Sequence, residues 1–181
     1  MARALDTLPA FDNDGNLQVI IETPKGSRNK FKYEPELGLF RLSGVLPLGA
    51  MFPFDFGFVP CTNAPDGDPL DVLVLMDEPA FVGCLLSARL IGVIEADQTE
   101  NGETTRNDRL IGVAAASRDH RDIQHLEDLN ANLLDEIEHF FVSYNTAKGK
   151  EFSIRARYGP DRARKIVVGA RRPARPARRR A

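Results

Sequence analysis

The sequence predicts an α+β fold, an antiparallel β-barrel covered by helices, and three observations carry that expectation. Short segments alternating apolar with polar residues, rich in β-branched and aromatic side chains, fill much of the first two thirds of the chain. Gly, Pro and Asn punctuate them often, as turns between short strands require. The one long run with helical spacing comes only afterwards. Strands first and helices later is the order of a sheet closed on itself and then covered.

The first strand is expected at 17–22, where Leu17, Val19 and Ile21 share a face. At 29–34 Lys30, Lys32 and Glu34 alternate with Phe31 and Tyr33, and a third strand follows at 39–42. Residues 70–76 form a nearly continuous apolar run and are expected to be a strand. Further strands are expected at 84–96, 109–115 and 151–156, with the polar stretch between 96 and 109 read as a loop. Leu126, Leu129, Leu133, Leu134, Ile137, Phe140, Phe141 and Tyr144 recur at three- and four-residue steps and form one face of a long helix. A shorter helix is expected after Gly159-Pro160, where Asp161 opens the run 162–168.

The chain has 181 residues, 43% hydrophobic and 28% charged, enough for one domain with a real core, which we place at 1–170. It has no twenty-residue apolar span and no charged-then-apolar leader, so no membrane partner is expected. Cys61 and Cys84 read as reduced thiols of a cytoplasmic protein. The net charge of -2 hides an asymmetry, because residues 171–181 carry six arginines and no acid. That segment could be an electrostatic arm for nucleic acid or another polyanion. We read it instead as a disordered, solvating tail whose removal leaves the chemistry unchanged. His120, His125 and His139 have no metal-ligand spacing, and the sequence holds no glycine-rich nucleotide-binding motif.

Asp66-Gly67-Asp68-Pro69-Leu70-Asp71 places three carboxylates within six residues at the mouth of the 70–76 strand. An ordinary Asp/Gly/Pro turn would have the same residue types. Like charges this close repel and raise one another's pKa, so water or a cation must neutralise them. Oxygen-only ligands favour Mg²⁺, Mn²⁺ or Ca²⁺ over zinc. An EF-hand starting at Asp66 would put Leu70, Asp71 and Asp77 at its fifth, sixth and twelfth positions, where it needs a ligand, Gly and Glu. What fits is a strand-end cluster that holds Mg²⁺ together with substrate phosphates. Two ions clamped there would acidify a bridging water, and Asp68 could accept its proton.

Asp66-Gly67-Asp68-Pro69-Leu70-Asp71-Val72-Leu73-Val74, preceded by 51–60, resembles the signature of the family I soluble inorganic pyrophosphatases. Further matches are 19–24, Lys32-Tyr33-Glu34, 140–144 and Lys148-Gly149-Lys150, so the resemblance spans roughly 17–157 in order. It implies a small OB-like five-stranded barrel flanked by helices and a cytoplasmic, Mg²⁺-dependent enzyme, with Mn²⁺ as a substitute. It also implies pyrophosphate as substrate, hydrolysed to two orthophosphates, and a homo-oligomer.

By the same resemblance Asp66 and Asp71 are metal ligands, Asp68 is the base, Glu22 and Glu34 are acids lining the site, and Lys32 and the Tyr144 hydroxyl touch phosphate. Glu22 is counted with the metal ligands. Two more metal-binding acids are implied between 96 and 109. Glu100 matches the first; two inserted residues leave Asn107 or Asp108 for the second, and the charged Asp108 is preferred. Arg109 stands where the family has Lys. Gly44, Phe52, Phe56 and Asn145 replace phosphate-facing donors, and Lys30, Arg41 and Arg28 are candidates to substitute for them. Two competing functions are a polyanion- or nucleic-acid-binding module and a hydrolase of another phosphoanhydride. The acid cluster disfavours the first, since it repels a polyanion.

Overall fold

The computed structural model describes residue 5 and residues 8–172. Nine strands, β1 (Leu17–Thr23), β2 (Asn29–Glu34), β3 (Leu39–Val45), β4 (Asp55–Phe58), β5 (Asp71–Leu75), β6 (Leu85–Glu100), β7 (Glu103–Arg106), β8 (Arg109–Ala114) and β9 (Glu151–Tyr158), are joined by two helices, α1 (Ala131–Thr146) and α2 (Pro160–Gly169). Strands β1, β4, β5, β8 and β6 pair in that order, and β6 returns to β1, closing a five-stranded barrel. Four of the five pairings are antiparallel; β5 and β8 run parallel, which the expected all-antiparallel barrel did not include.

Strand β6 is long enough to serve two assemblies. Its first half belongs to the barrel, and its second half pairs with β7 on one side and β9 on the other. The register slips between Leu90 and Gly92, where a Cβ on Gly92 would lie 2.6 Å from Tyr158 O, so the bulge there requires glycine.

The apolar run of β5 is covered on both faces. Leu73 and Leu75 pack with Ile111, Val113 and the Leu134, Ile137 and Phe141 stripe of α1. Val72 and Val74 pack with Leu17, Val19 and Ile21 and with Ala163 and Val167 of α2. Helix α1 starts later than the apolar spacing indicates. Leu126 lies in a short 3₁₀ turn and Leu129 is extended, and the helix begins where the Asn130 side chain accepts from the Asn132 N–H at 2.9 Å. Helix α2 begins one residue earlier than expected, with Gly159 as its N-cap and Pro160 in its first turn.

Strands β4 and β7 were not anticipated. Strand β4 contains Asp55, whose buried carboxylate accepts the Lys25 N–H at 2.7 Å and the Ala80 N–H at 2.9 Å, tying two loops to the barrel. The β2–β3 hairpin stands outside the barrel and docks through Tyr33, which stacks on Phe58.

Close contact between β1 and β4 depends on Gly57, because a Cβ there would meet Ile20 O at 2.1 Å. Gly57→Ala should therefore cost at least about 2 kcal/mol in urea denaturation. A loss under about 0.5 kcal/mol would mean that the two strands separate freely.

Residues 171–181, read as a tail, divide in two. Arg171 bridges Thr62, and the Arg172 N–H donates to Cys61 O at 2.8 Å, so the first two residues are docked on the body. Residues 173–181 lie outside the described residues. Among the described residues, no helix is long and apolar enough to cross a membrane.

Candidate active site

The acid loop is fixed before anything binds to it. Val59 N–H donates to Leu70 O at 2.9 Å and Ala64 N–H to Asp68 O at 2.7 Å, closing residues 59–70 into a braced loop. Inside it, Thr62 Oγ1 accepts the Leu70 N–H at 3.0 Å while its hydroxyl donates to Val59 O at 2.6 Å. Gly67 takes φ of 90°, which only glycine adopts easily, and the Asp68 N–H donates to Asp66 Oδ1 at 3.1 Å. The loop overhangs a cavity of about 830 Å³ between the barrel, the β2–β3 hairpin and the end of α1.

Carboxylates on the cavity wall come from Glu22, Glu34, Asp66, Asp68 and Asp71, and cations from Lys30, Lys32, Arg109, Lys148, Lys150 and Arg172. Strand alternation explains part of this: Lys30, Lys32 and Glu34 share one face of β2, and Glu22 lies next to the end of β1. Lys30 Nζ lies 3.1 Å from Glu22 Oε2 and 4.2 Å from the Phe56 ring centroid, and the Tyr33 N–H donates to Glu22 Oε1 at 2.7 Å. Burial still pushes the Glu22 carboxyl up, with Lys30 and the Tyr33 N–H opposing it.

Lys32 Nζ donates to both oxygens of Asp68, at 2.8 and 2.9 Å. Burial works against the Lys32 charge, but its bond to Asp68 holds the net shift upward. Arg109 is the most enclosed cation of the site. Its Nη1 sits 2.7 Å from Asp71 Oδ2 and donates also to Asn107 Oδ1, while the guanidinium carbon lies 5.3 Å from the Phe141 ring centroid and 5.2 Å from that of Phe152.

At the far wall, Tyr144 is pushed up to about 12 by burial, with the Asp71 charge adding to it. Lys148 donates to the Tyr144 hydroxyl, and its ammonium is pushed down, first by burial and then by repulsion from Lys30 and Lys150. A bound anion between these cations would relieve both costs.

Two of the implied metal ligands lie elsewhere. Glu100 is half exposed near the tip of the β6–β7 hairpin, with Lys150 Nζ 2.8 Å from its Oε2, and it does not line the cavity. Asp108 also points away, accepting the Ala96 N–H at 3.1 Å and Arg106 Nε at 2.5 Å. The preference for Asp108 over Asn107 is thus reversed in position: Asn107 lines the cavity, and its Nδ2 donates to Gln98 Oε1 at 3.1 Å. Two neutral amides occupy a wall where carboxylates were expected. Gln98 was missed because β7 pairs it with Thr105 across a hairpin that reads as a loop.

The suggested replacement donors separate in the same way. Lys30 faces the cavity, whereas Arg28 donates to Leu46 O at 3.2 and 2.9 Å and Arg41 lies 3.4 Å from Glu34 on the surface. Asn145 is buried and donates from Nδ2 to Phe141 O at 2.8 Å. The cation of that wall is Lys148, one helical turn beyond Tyr144. Its position on the Lys148-Gly149-Lys150 turn was the available signal.

The residues present fit a hard divalent cation. Their donors are all oxygen, and Asp66 has no ion pair among the described residues. Burial, together with the charges of Asp71 and Asp68, pushes its carboxyl up, a strain that a cation removes. Among the described residues no three His, Cys, Asp or Glu side chains already converge on a point, and Glu22, Asp68 and Asp71 are paired with Lys30, Lys32 and Arg109.

The chain is similar to known proteins in sequence and in fold. The family model described as inorganic pyrophosphatase matches residues 19–174. An inorganic pyrophosphatase of Synechocystis is 38% identical over 146 residues, 81% of this chain and 84% of that protein. One from Geobacillus stearothermophilus is 37% identical over 158 residues, covering 87% of this chain and 93% of its own. The crystal structure of the Thermus thermophilus inorganic pyrophosphatase superposes with a TM-score of 0.84 at 33% identity, over 93% of this chain and 97% of that one.

Proposed function

The chain belongs to the inorganic pyrophosphatase family, and from that membership we propose that it hydrolyses inorganic pyrophosphate to two orthophosphates in a metal-dependent reaction at the cavity under the 59–70 loop. It is an inorganic diphosphatase. The observation that carries the assignment to this cavity is its charge layout: an acid loop faces Lys30, Lys32, Lys148 and Arg109 across a space open to a small polyanion.

Asp66, Asp71 and Glu22 would hold Mg²⁺, or Mn²⁺ in its place, with the Asn107 amide oxygen as a neutral donor, and the ion would supply phosphate neutralisation and an acidified water. The chain's own groups do the rest. Asp68 takes the proton of the attacking water; Lys32, which holds it in the absence of substrate, transfers its N–H donors to phosphate. Lys30, Lys148 and Lys150 bind the phosphate oxygens, and Tyr144, neutral throughout the physiological range, donates a hydrogen bond. Arg109 holds the Asp71 carboxylate in place. Glu34, on the hairpin, is a further acid lining the cavity.

We infer a single domain over 1–170 acting in the cytoplasm, where the free thiols Cys61 and Cys84 stay reduced. A homo-oligomer is supported by the apolar residues Leu39, Leu42, Val45 and Leu48, exposed on and just after β3.

Purified protein should release orthophosphate from pyrophosphate with Mg²⁺ and stop when EDTA is added, recovering when Mg²⁺ is restored. Folded protein that releases no phosphate above background with any divalent ion would overturn the assignment.

A further inference from the structure

We propose that Arg172 is a phosphate-binding residue of this site, carried to the rim of the cavity by the segment that follows α2. The inference rests on the pyrophosphatase reading above and adds a residue to it.

The chain does not leave the body where α2 ends. Asn63 N–H donates to Ala170 O at 2.8 Å, Arg171 bridges Thr62, and Arg172 N–H donates to Cys61 O at 2.8 Å. The Cys61 thiol reaches Arg172 O at 3.4 Å. These contacts zip 170–172 against 61–63, the stretch that leads into the acid loop. Cys61 takes φ of 55°, a turn that a non-glycine residue adopts only where its surroundings hold it.

From that anchor the Arg172 side chain reaches the acid loop itself. Its Nη2 donates to Gly67 O at 3.3 Å, between Asp66 and Asp68, and the residue lines the same cavity as Lys32 and Lys148. It forms no ion pair with either carboxylate. One backbone carbonyl engages one of five N–H donors, which leaves a planar fork suited to two phosphate oxygens at the mouth of the cavity. The site has room for this contribution, since Gly44, Phe52, Phe56 and Asn145 stand where phosphate-facing donors were expected. An arginine on the rim strengthens capture of the dianionic or more highly charged substrate rather than the chemical step, so its effect belongs in KM.

The test uses the full chain with the divalent metal that supports turnover. Binding of imidodiphosphate, a pyrophosphate analogue with a nitrogen bridge, is measured by calorimetry beside steady-state KM and kcat and thermal melting. Arg172→Ala should weaken analogue binding and raise KM about three- to tenfold, while kcat moves less than about twofold and Tm stays put; solvent at the rim keeps the effect at this size. Arg172→Lys should recover part of the loss, and Arg171→Ala, which removes an exposed charge that does not line the cavity, should bind as the parent does. A chain ending after Arg172 should match the full chain, and one ending after Ala170 should match Arg172→Ala. Equal losses in Arg171→Ala and Arg172→Ala, or parent-like binding by Arg172→Ala, would overturn the proposal. Failure of the pyrophosphatase reading would show instead in the parent protein, as no analogue binding and no phosphate release.

Discussion

Asp71→Asn should lower pyrophosphate turnover at least about a hundredfold, because under the proposed mechanism that carboxylate serves both the metal and Arg109. It is the first residue of β5, so the strand fixes its backbone, and Arg109 Nη1 lies 2.7 Å from its Oδ2. Removing its charge weakens metal holding and frees a buried guanidinium in the same step. Asp68→Asn should also slow the reaction, but through the lost proton acceptor, with metal affinity nearly intact. Titrating Mg²⁺ into both variants, by calorimetry as well as by activity, separates the roles. An equal loss of metal affinity in the two would remove the distinction between ligand and base.

The acid loop was legible because its chemistry is contiguous: three carboxylates, a glycine and a proline at fixed spacing need no tertiary information to be recognised. The same holds for β1, β5 and β8, whose apolar residues identify them as strands whatever they pair with. Strand β7 is different. Glu103–Arg106 is polar throughout, and it is a strand only because β6 supplies a partner. Without that pairing Gln98 read as part of a loop, and the resemblance pointed to Glu100 and Asp108 instead. Alignment by residue type favoured the charged neighbour, while in the two-residue link between β7 and β8 the Asn107 side chain faces the cavity and Asp108 is held by the Ala96 N–H and Arg106. Strand β4 was hidden by Asp55, a residue that reads as a turn former and is in fact a buried acceptor for two loops. The cation partners were least visible of all, because Lys32 meets Asp68 and Arg109 meets Asp71 only after the barrel closes.

Arg109→Met should have the largest effect on stability. The Arg109 side chain is 5% exposed and that of Asp71 26%, so the pair is enclosed on the arginine side and wetted on the other. Breaking an ion pair by removing one partner costs about 3 to 5 kcal/mol when both are buried, and access of water to Asp71 places this case near the lower end, about 3 kcal/mol. Methionine keeps apolar contact with Phe141 and Phe152, so the measured loss reports the charge and its hydrogen bonds rather than an empty space. At this chain length that loss corresponds to a fall in Tm of roughly 6 to 12 °C. Metal should act unequally on the two proteins. In the parent, Asp71 already has a cation; in Arg109→Met, an added divalent ion is the main source of positive charge beside it, so Mg²⁺ should raise the variant's Tm more than the parent's. Parallel melts with Mg²⁺ and with EDTA measure both quantities. A variant as stable as the parent, or an equal gain from Mg²⁺ in the two, would mean that Arg109 does not hold the Asp71 charge and that its place beside the acid loop is one of packing alone.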